Sequence, residues 1–188
     1  MTQLIQVRFA DRAAMYTDAR HMHNRLLQAA SRADTHTLFR AQNVTGTRFT
    51  VLTDDERFDP SRWGDAVTAL TTEVYAPTVA RGARVLFEVR LCPVTRSTGK
   101  TVRALRGAGE LDPFIERLGQ RHGFEVLSYA TQWERGYRID RQAPPLPSVT
   151  VSGELEAIDE AQIVGALYRG VGRAKRFGFG LLLIRPLE

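Results

Sequence analysis

At 188 residues, 43% of them hydrophobic, the chain is long enough for one medium domain or two small ones of roughly ninety residues each, and too apolar for global disorder. A single cysteine, Cys92, excludes a disulfide framework within the chain and a Cys-cluster zinc site, and reads as a small buried hydrophobe in a strand. No apolar run approaches the roughly 18 residues a membrane span needs, so no membrane association is expected and cytoplasm is the expected compartment. The net charge of +5 suggests a polyanionic partner, although the cations are nearly all arginine and such a bias also follows from base composition. The two lysines, Lys100 and Lys175, are therefore more informative by position than the arginines are by number.

Taken in order, Leu4–Phe9 alternates apolar and polar residues, as a strand with one solvated face does. Asp11 to Thr17 leads into a helix running to about Ala30, whose stripe of Met15, Ala19, Met22 and Leu26 recurs at spacings of three and four. Residues 38–44 and 48–52 flank Thr45-Gly46-Thr47 as a hairpin. Asp59-Pro60-Ser61 opens a second helix near Arg62 to Leu70, and Ala83–Leu91 is a strand. The order so far is β-α-β-β-α-β, the ferredoxin-like pattern. Pro93 ends the strand, and the polar, basic stretch Thr95–Arg103 reads as an interdomain link with a hairpin-like excursion.

The pattern then repeats. Asp112-Pro113 marks a helix start and Gly123 its end, Phe124–Thr131 and Trp133–Ile139 are strands, and Ala143–Pro147 is a loop. Ser148–Leu155 is a strand, Asp159 caps a helix with Ile163, Val164, Leu167 and Tyr168 on its apolar face, and Leu181–Ile184 is the last strand. The fold class is α+β: two tandem ferredoxin-like βαββαβ units, 1–92 and 93–188, the second with a C-terminal glycine-rich loop.

That loop, Gly170-Val171-Gly172-Arg173-Ala174-Lys175-Arg176-Phe177-Gly178-Phe179-Gly180, packs four glycines and three cations into eleven residues. Glycines allow left-handed backbone and close approach, and Arg and Lys beside them supply donors and charge for phosphate. It is no mononucleotide loop: it lacks Gly-Lys-Ser/Thr, and Gly170 and Gly172 follow a helix instead of a strand. Following a helix, it faces the negative end of that helix dipole, so anion affinity must come from Arg173, Lys175, Arg176 and exposed N–H groups.

The sequence GVGRAKRFGFGLLLIRP resembles the C-terminal loop of the CasE family, the CRISPR repeat-cleaving endoribonucleases of type I-E systems, members of the RAMP superfamily. It departs from the family pattern at Phe179, where the family often has Cys. The resemblance implies tandem ferredoxin-like, RRM-like domains and a first-helix pattern like Y-x-L-H-x-x-L, in which the histidine is catalytic. Arg20–Leu26 aligns with it and places His23 at the catalytic position. The family's tyrosine, three residues before, is Arg20 here. Tyr16 lies one turn further back as a spatial substitute, and Arg20 shares a face with His23 from which it could stabilise charge on the scissile phosphate. From the residues alone His23, at the border of the apolar stripe, reads as packing or solvated, and His21, two residues earlier, as surface.

The resemblance implies metal-independent cleavage of CRISPR precursor RNA, in which a 2′-hydroxyl attacks its own 3′ phosphate and leaves a cyclic phosphate. Histidine can serve as general acid or base near neutrality, and His23 takes one of these roles, with the choice open. No cofactor is implied, and no His, Cys or carboxylate spacing marks a metal. The implied partners are the CRISPR repeat RNA stem-loop and other subunits of the type I-E surveillance complex. Gly170, Gly172, Arg173, Lys175 and Arg176 are expected to grip RNA, together with Lys100, Arg103 and Arg106 of the excursion. Cutting is placed on His23 in the other unit, away from the loop. The alternative is a non-catalytic RAMP-type RNA-binding subunit in which His23 only packs.

Overall fold

The computed structural model describes residues 1–10, 19–32, 35–42, 47–96, 102–137 and 144–187. Two four-stranded antiparallel sheets organise it. In the first, β1 (Gln3–Phe9) pairs with β3 (Arg48–Thr53) on one side and β4 (Val67–Val74) on the other, and β2 (Thr37–Ala41) extends β3, giving the order β2-β3-β1-β4. In the second, β5 (Arg84–Leu91) pairs with β9 (Leu146–Ala157) and β10 (Leu182–Pro186), and β8 (Phe124–Tyr137) pairs with β9, giving β10-β5-β9-β8. Both orders are those of a βαββαβ unit with its two hairpin-forming strands on one side, so the ferredoxin-like strand order holds twice.

The strand that closes the first unit is a correction. A helix was expected over 62–70 and the closing strand over 83–91. Instead, a short 3₁₀ turn at Pro60–Ala66 leads directly into β4. Gly64, at φ 64°, interrupts the helical run, and Val67-Thr68 and Thr71-Thr72 with Val74 are β-branched residues suited to a strand. β5 then begins the second unit: Phe87, Val89 and Leu91 are buried in the core formed with α2 (Ala108–His122) and α3 (Glu160–Arg169). A division at 92/93 would separate β5 from both its partners, β9 and β10.

Other boundaries also moved. The excursion after Pro93 is a hairpin of β6 (Val94–Arg96) and β7 (Val102–Ala104), and it lies inside the second unit instead of between units. Helix α2 starts at Ala108, a turn before the expected Asp112-Pro113, and ends at Gly123, which caps it in the left-handed conformation. The two strands expected over 124–139 are one continuous β8. Asp159 caps α3 as expected, accepting the Gln162 N–H at 2.9 Å. The tip of the first hairpin, residues 43–46, lies outside the described residues.

Helix α1 (Ala19–Ala29) is fixed against the first sheet by its apolar stripe. Met22, Leu26 and Ala29 are buried with Phe9, Phe39, Phe49, Val51 and Trp63. Trp63 Nε1–H donates to the Arg25 carbonyl at 2.9 Å, and the Asp59 N–H to that of Ala29 at 2.9 Å. Just past the helix end, the buried Asp55 carboxylate accepts Ser31 N–H at 2.5 Å, Ser31 Oγ–H at 2.6 Å and Arg57 N–H at 3.0 Å. Burial alone would raise the Asp55 pKa, but these three hydrogen bonds outweigh it and hold the carboxyl below its ordinary value. A lowered folded pKa means the stabilisation is present above the ordinary carboxylate range and lost as pH falls through it. Asp55→Ala should cost about 2 kcal/mol, by leaving buried donors unmatched, in chemical denaturation at pH 7. The difference from wild type should shrink as pH falls below about 4.

The back face of the first sheet is covered in part by the second unit. Leu38 of β2 and Leu52 of β3 pack with Leu181. Tyr168 Oη–H donates to the Tyr75 carbonyl at 3.3 Å, and the two rings meet edge to face at 5.8 Å. β2 is thus enclosed on both faces, with Phe39 buried on the α1 side and Leu38 and Arg40 on the other.

Candidate active site and nucleic-acid interface

The glycine-rich loop is a built structure. Helix α3 ends at Arg169, and the backbone is left-handed at Gly170, Gly172, Ala174, Gly178 and Gly180. A strap closes it. The Val171 N–H donates to the Gly180 carbonyl and the Gly180 N–H to the Arg90 carbonyl of β5, both at 2.8 Å. Val171 and Phe179 are fully buried and anchor its two arms, so the departure from the family's Cys at Phe179 is a packing residue. Between the anchors a 3₁₀ turn, Lys175–Phe177, presents Arg176 outward. Ala174, at φ 58°, is the one non-glycine among the described residues with positive φ, a strain of order 1 kcal/mol concentrated where the turn begins.

The turn meets α1. The Phe177 ring lies against the His23 ring, edge to face, with centroids 6.5 Å apart, and the Arg176 guanidinium carbon sits 4.8 Å from the centre of the Phe177 ring. His23 is half-buried. Burial lowers its pKa from the ordinary imidazole value, and the positive charge of Arg176 lowers it further. His23 and the loop, expected to act apart, therefore adjoin. β2 makes this possible, since it carries α1 on one face and receives the loop on the other, where Gly170 abuts Leu38.

The remaining sequence-derived residues divide by location. Arg20 is exposed, one turn before His23 on α1. Tyr16 and Lys100 lie outside the described residues. Arg173 and Arg176 are exposed, whereas Lys175 is half-buried and donates to the Arg169 carbonyl at 2.9 Å. Arg103 is exposed on β7 and ion-paired to Glu110 at 2.6 Å; the Arg106 N–H donates to the same carboxylate at 2.6 Å. Glu110 thus ties the excursion to the start of α2 and offsets one of its charges. His21 is half-buried, not a surface residue. Cys92 is buried, its thiol pushed up to about 11 by burial, against a smaller opposing effect of Arg173.

Two features escaped the sequence reading. His122, at the end of α2, is half-buried, and its pKa is lowered by burial and by the charges of Lys175, Arg121 and Arg169. The ends of both helices and the loop turn therefore share one positive field. Arg121-His122 looked like an ordinary helix C-terminus, and only tertiary packing brings it under the loop cations. Arg40 of β2 is the second: a charged residue in a hairpin arm, it is buried at 7% exposure.

Among the described residues no three His, Cys, Asp or Glu side chains are grouped to hold a metal ion. The cleft of about 880 Å³ beside α2 is lined by Asp112, Glu116, Glu125 and Asp159, the wrong charge for a polyanion. The positive surface around the loop is the better match.

A family model described as CRISPR associated protein matches residues 3–186, nearly the full chain. The chain belongs to this family. The CRISPR-associated endoribonuclease Cse3 of Thermus thermophilus is 30% identical over 132 residues, an alignment that spans 60% of this chain and 60% of that relative. A structure of the CRISPR endoribonuclease Cse3 bound to a 19 nt RNA superposes with a TM-score of 0.88 at 25% identity, covering 99% of this chain and all of that one. Cas6e from Escherichia coli K-12 shares the fold, with a TM-score of 0.75 at 20% identity over 98% of this chain and 100% of its own.

Proposed function

We propose that this protein is an endoribonuclease that cleaves CRISPR precursor RNA within its repeats, by attack of a 2′-hydroxyl on the adjacent 3′ phosphate and without a metal ion. The first unit, through Val74, supplies His23, and the second, from Arg84, supplies the loop that grips the RNA. The observation that carries this reading is the juxtaposition of His23 with Phe177 and Arg176 of that loop. It places a titratable group and a fixed positive charge side by side on an exposed basic surface. The likeness to an endoribonuclease captured with RNA supports the substrate class. By the same resemblance its partners are the repeat stem-loop and other subunits of a type I-E surveillance complex.

The geometry also favours one role for His23. With its pKa lowered by burial and then by Arg176, the imidazole is biased toward its neutral form, the form that can accept the 2′-hydroxyl proton. Arg176, fixed by the turn, offsets negative charge developing on the phosphate. Arg173 and Lys175 hold flanking phosphates, and Arg103 and Arg106 the stem beyond them. As the 2′-oxygen bonds to phosphorus the P–O5′ bond breaks, the departing 5′-oxygen takes a proton from water, and the products are a 2′,3′-cyclic phosphate and a 5′-hydroxyl.

The test is incubation with a repeat stem-loop RNA in EDTA, beside the same RNA carrying a 2′-deoxy sugar at the cleavage position. The all-ribose RNA should be cut to a cyclic-phosphate end and the deoxy RNA bound but intact. Binding of both without cutting would instead support a non-catalytic RNA-binding subunit, the reading favoured by Arg20 standing where the family has tyrosine.

A pH prediction follows. The single-turnover rate should fall on the acid side as His23 gains a proton, with a midpoint below the ordinary value of about 6.5. Arg176→Ala removes a charge that disfavours imidazolium, so its acid limb should move to higher pH while its maximal rate drops. A limb that stays in place would contradict this assignment.

A further inference from the structure

Three consecutive residues of β2 reach three different parts of the molecule. Leu38 touches Gly170 at the loop entrance, Phe39 lies in the core beneath α1, and Arg40 crosses to β5, where its Nη1 pairs with Glu88 Oε1 at 2.6 Å. On β5 the arrangement is mirrored. Two residues beyond Glu88, the carbonyl of Arg90 accepts the Gly180 N–H that closes the loop strap. Each partner of the Arg40–Glu88 pair thus stands two residues from a point where the loop is fastened, one on each unit.

The surroundings of the pair are ordered. Arg40 and Arg90 are both 7% exposed and close enough for their charges to oppose each other. Arg90 Nη2 is held at 2.9 Å by Glu134, whose carboxylate also accepts Ser148 Oγ–H at 2.9 Å and Thr150 Oγ1–H at 3.3 Å. Glu88, half-exposed at the mouth of this network, is the carboxylate that neutralises Arg40. Apolar residues would seal such a seam at least as stably. What the pair adds is a preferred register, because a sliding interface would take the buried Arg40 guanidinium away from Glu88, its nearest counter-charge, while Glu88 stays half open to solvent.

We propose that Arg40 and Glu88 are positioning residues for RNA cleavage, and that their ion pair sets the register between the two units and so holds the loop turn against His23. This rests on the endoribonuclease reading above for its catalytic consequence, but not for its geometric one. The pair touches neither the His23 ring nor the loop cations, so its effect must pass through loop placement.

The experiment compares wild type, Glu88→Gln, Arg40→Lys and Arg176→Ala, with Glu88→Gln also placed in the Arg176→Ala background. The readouts are thermal melting, affinity for the 2′-deoxy RNA, single-turnover cleavage, and the NMR titration midpoint of the His23 imidazole. The charge that acts on that imidazole is Arg176 from the turn, and Arg20 stands exposed one turn earlier on its own helix. Glu88→Gln keeps the side-chain shape at a half-exposed position and should stay folded. It should cut about tenfold more slowly with RNA affinity nearly unchanged, as displacement of a catalytic group from its site does. Its His23 midpoint should rise toward that of Arg176→Ala, and the two substitutions together should raise it no further. Arg40→Lys, which keeps the charge, should retain a midpoint nearer wild type. A Glu88→Gln midpoint identical to wild type, or one additive with Arg176→Ala, overturns the proposal. Should wild type not cut RNA, the functional reading fails, while the titration still decides whether the pair places the loop.

Discussion

Replacing His23 by alanine should abolish most cleavage and little else. The single-turnover rate should fall by roughly a hundred- to ten-thousand-fold, the range that general acid–base catalysis supplies. Affinity for the repeat RNA should stay close to wild type, because Arg173, Lys175 and Arg176, the residues proposed to hold the phosphates, are left in place by the substitution. The fold should tolerate the change: His23 is half-buried at the edge of the α1 stripe, and Met22, Leu26 and Ala29, which anchor that helix, are untouched. The measurement is a single-turnover time course at saturating enzyme, paired with filter binding to the 2′-deoxy RNA. Cleavage at the wild-type rate would remove His23 from the mechanism. A loss of rate matched by a loss of affinity would reassign it to RNA binding. Arg20→Ala, on the same face one turn back, should cost less, because an exposed cation offsets charge without moving a proton.

His23 is singled out by the resemblance to the CasE first-helix pattern, since the residues alone read it as packing or solvated. How much of the rest is legible follows from what local sequence encodes. Alternation marks β1 and residues 148–155 of β9, where one face is buried and a period of two survives in the residues. By contrast β2 and β3, buried on successive residues, are legible as a hairpin from their apolar content and the turn between them. The glycines and cations of the loop are equally legible, since left-handed backbone at Gly170, Gly172, Gly178 and Gly180 calls for that residue type. The closing strand of the first unit was not legible. Two consecutive strands, Val67–Val74 and Arg84–Leu91, both satisfy a βαββαβ order, and the exposed β4 has little apolar alternation to announce it. The contact between His23 and Phe177 is tertiary, created by β2 lying between α1 and the loop, and no periodicity in either segment records it. Arg40 is hidden for the same reason: nothing local marks a charged strand residue as buried, and the second unit, covering the back of the sheet, makes it so.

Gly180→Ala should be the most damaging single substitution in the loop. At φ 79° any side chain is strained by about 1–2 kcal/mol. The added Cβ would also stand 2.1 Å from the Val171 carbonyl oxygen, a backbone atom that cannot swing aside. Relief requires moving Gly180, whose N–H is bonded to Arg90 and whose carbonyl is bonded to Val171, so the strap opens at both bonds. The combined cost should be about 3–4 kcal/mol, which for a chain of this size lowers the melting temperature by roughly 10 °C. Gly172→Ala is the control. Its φ of 72° imposes the same backbone strain, but the nearest atom to the new Cβ is Leu91 Cδ2 at 3.6 Å, an ordinary contact. It should lose only about 1 kcal/mol and most of its cleavage should survive. The comparison separates conformational strain, which the two share, from the strap, which only Gly180 closes. If the loop is held against His23 by that strap, Gly180→Ala should raise the His23 titration midpoint by withdrawing Arg176, and Gly172→Ala should leave it alone. Equal melting losses and equal midpoints in the two variants would mean that the strap does not fasten the loop, and that Phe179 and Val171 hold it by packing alone.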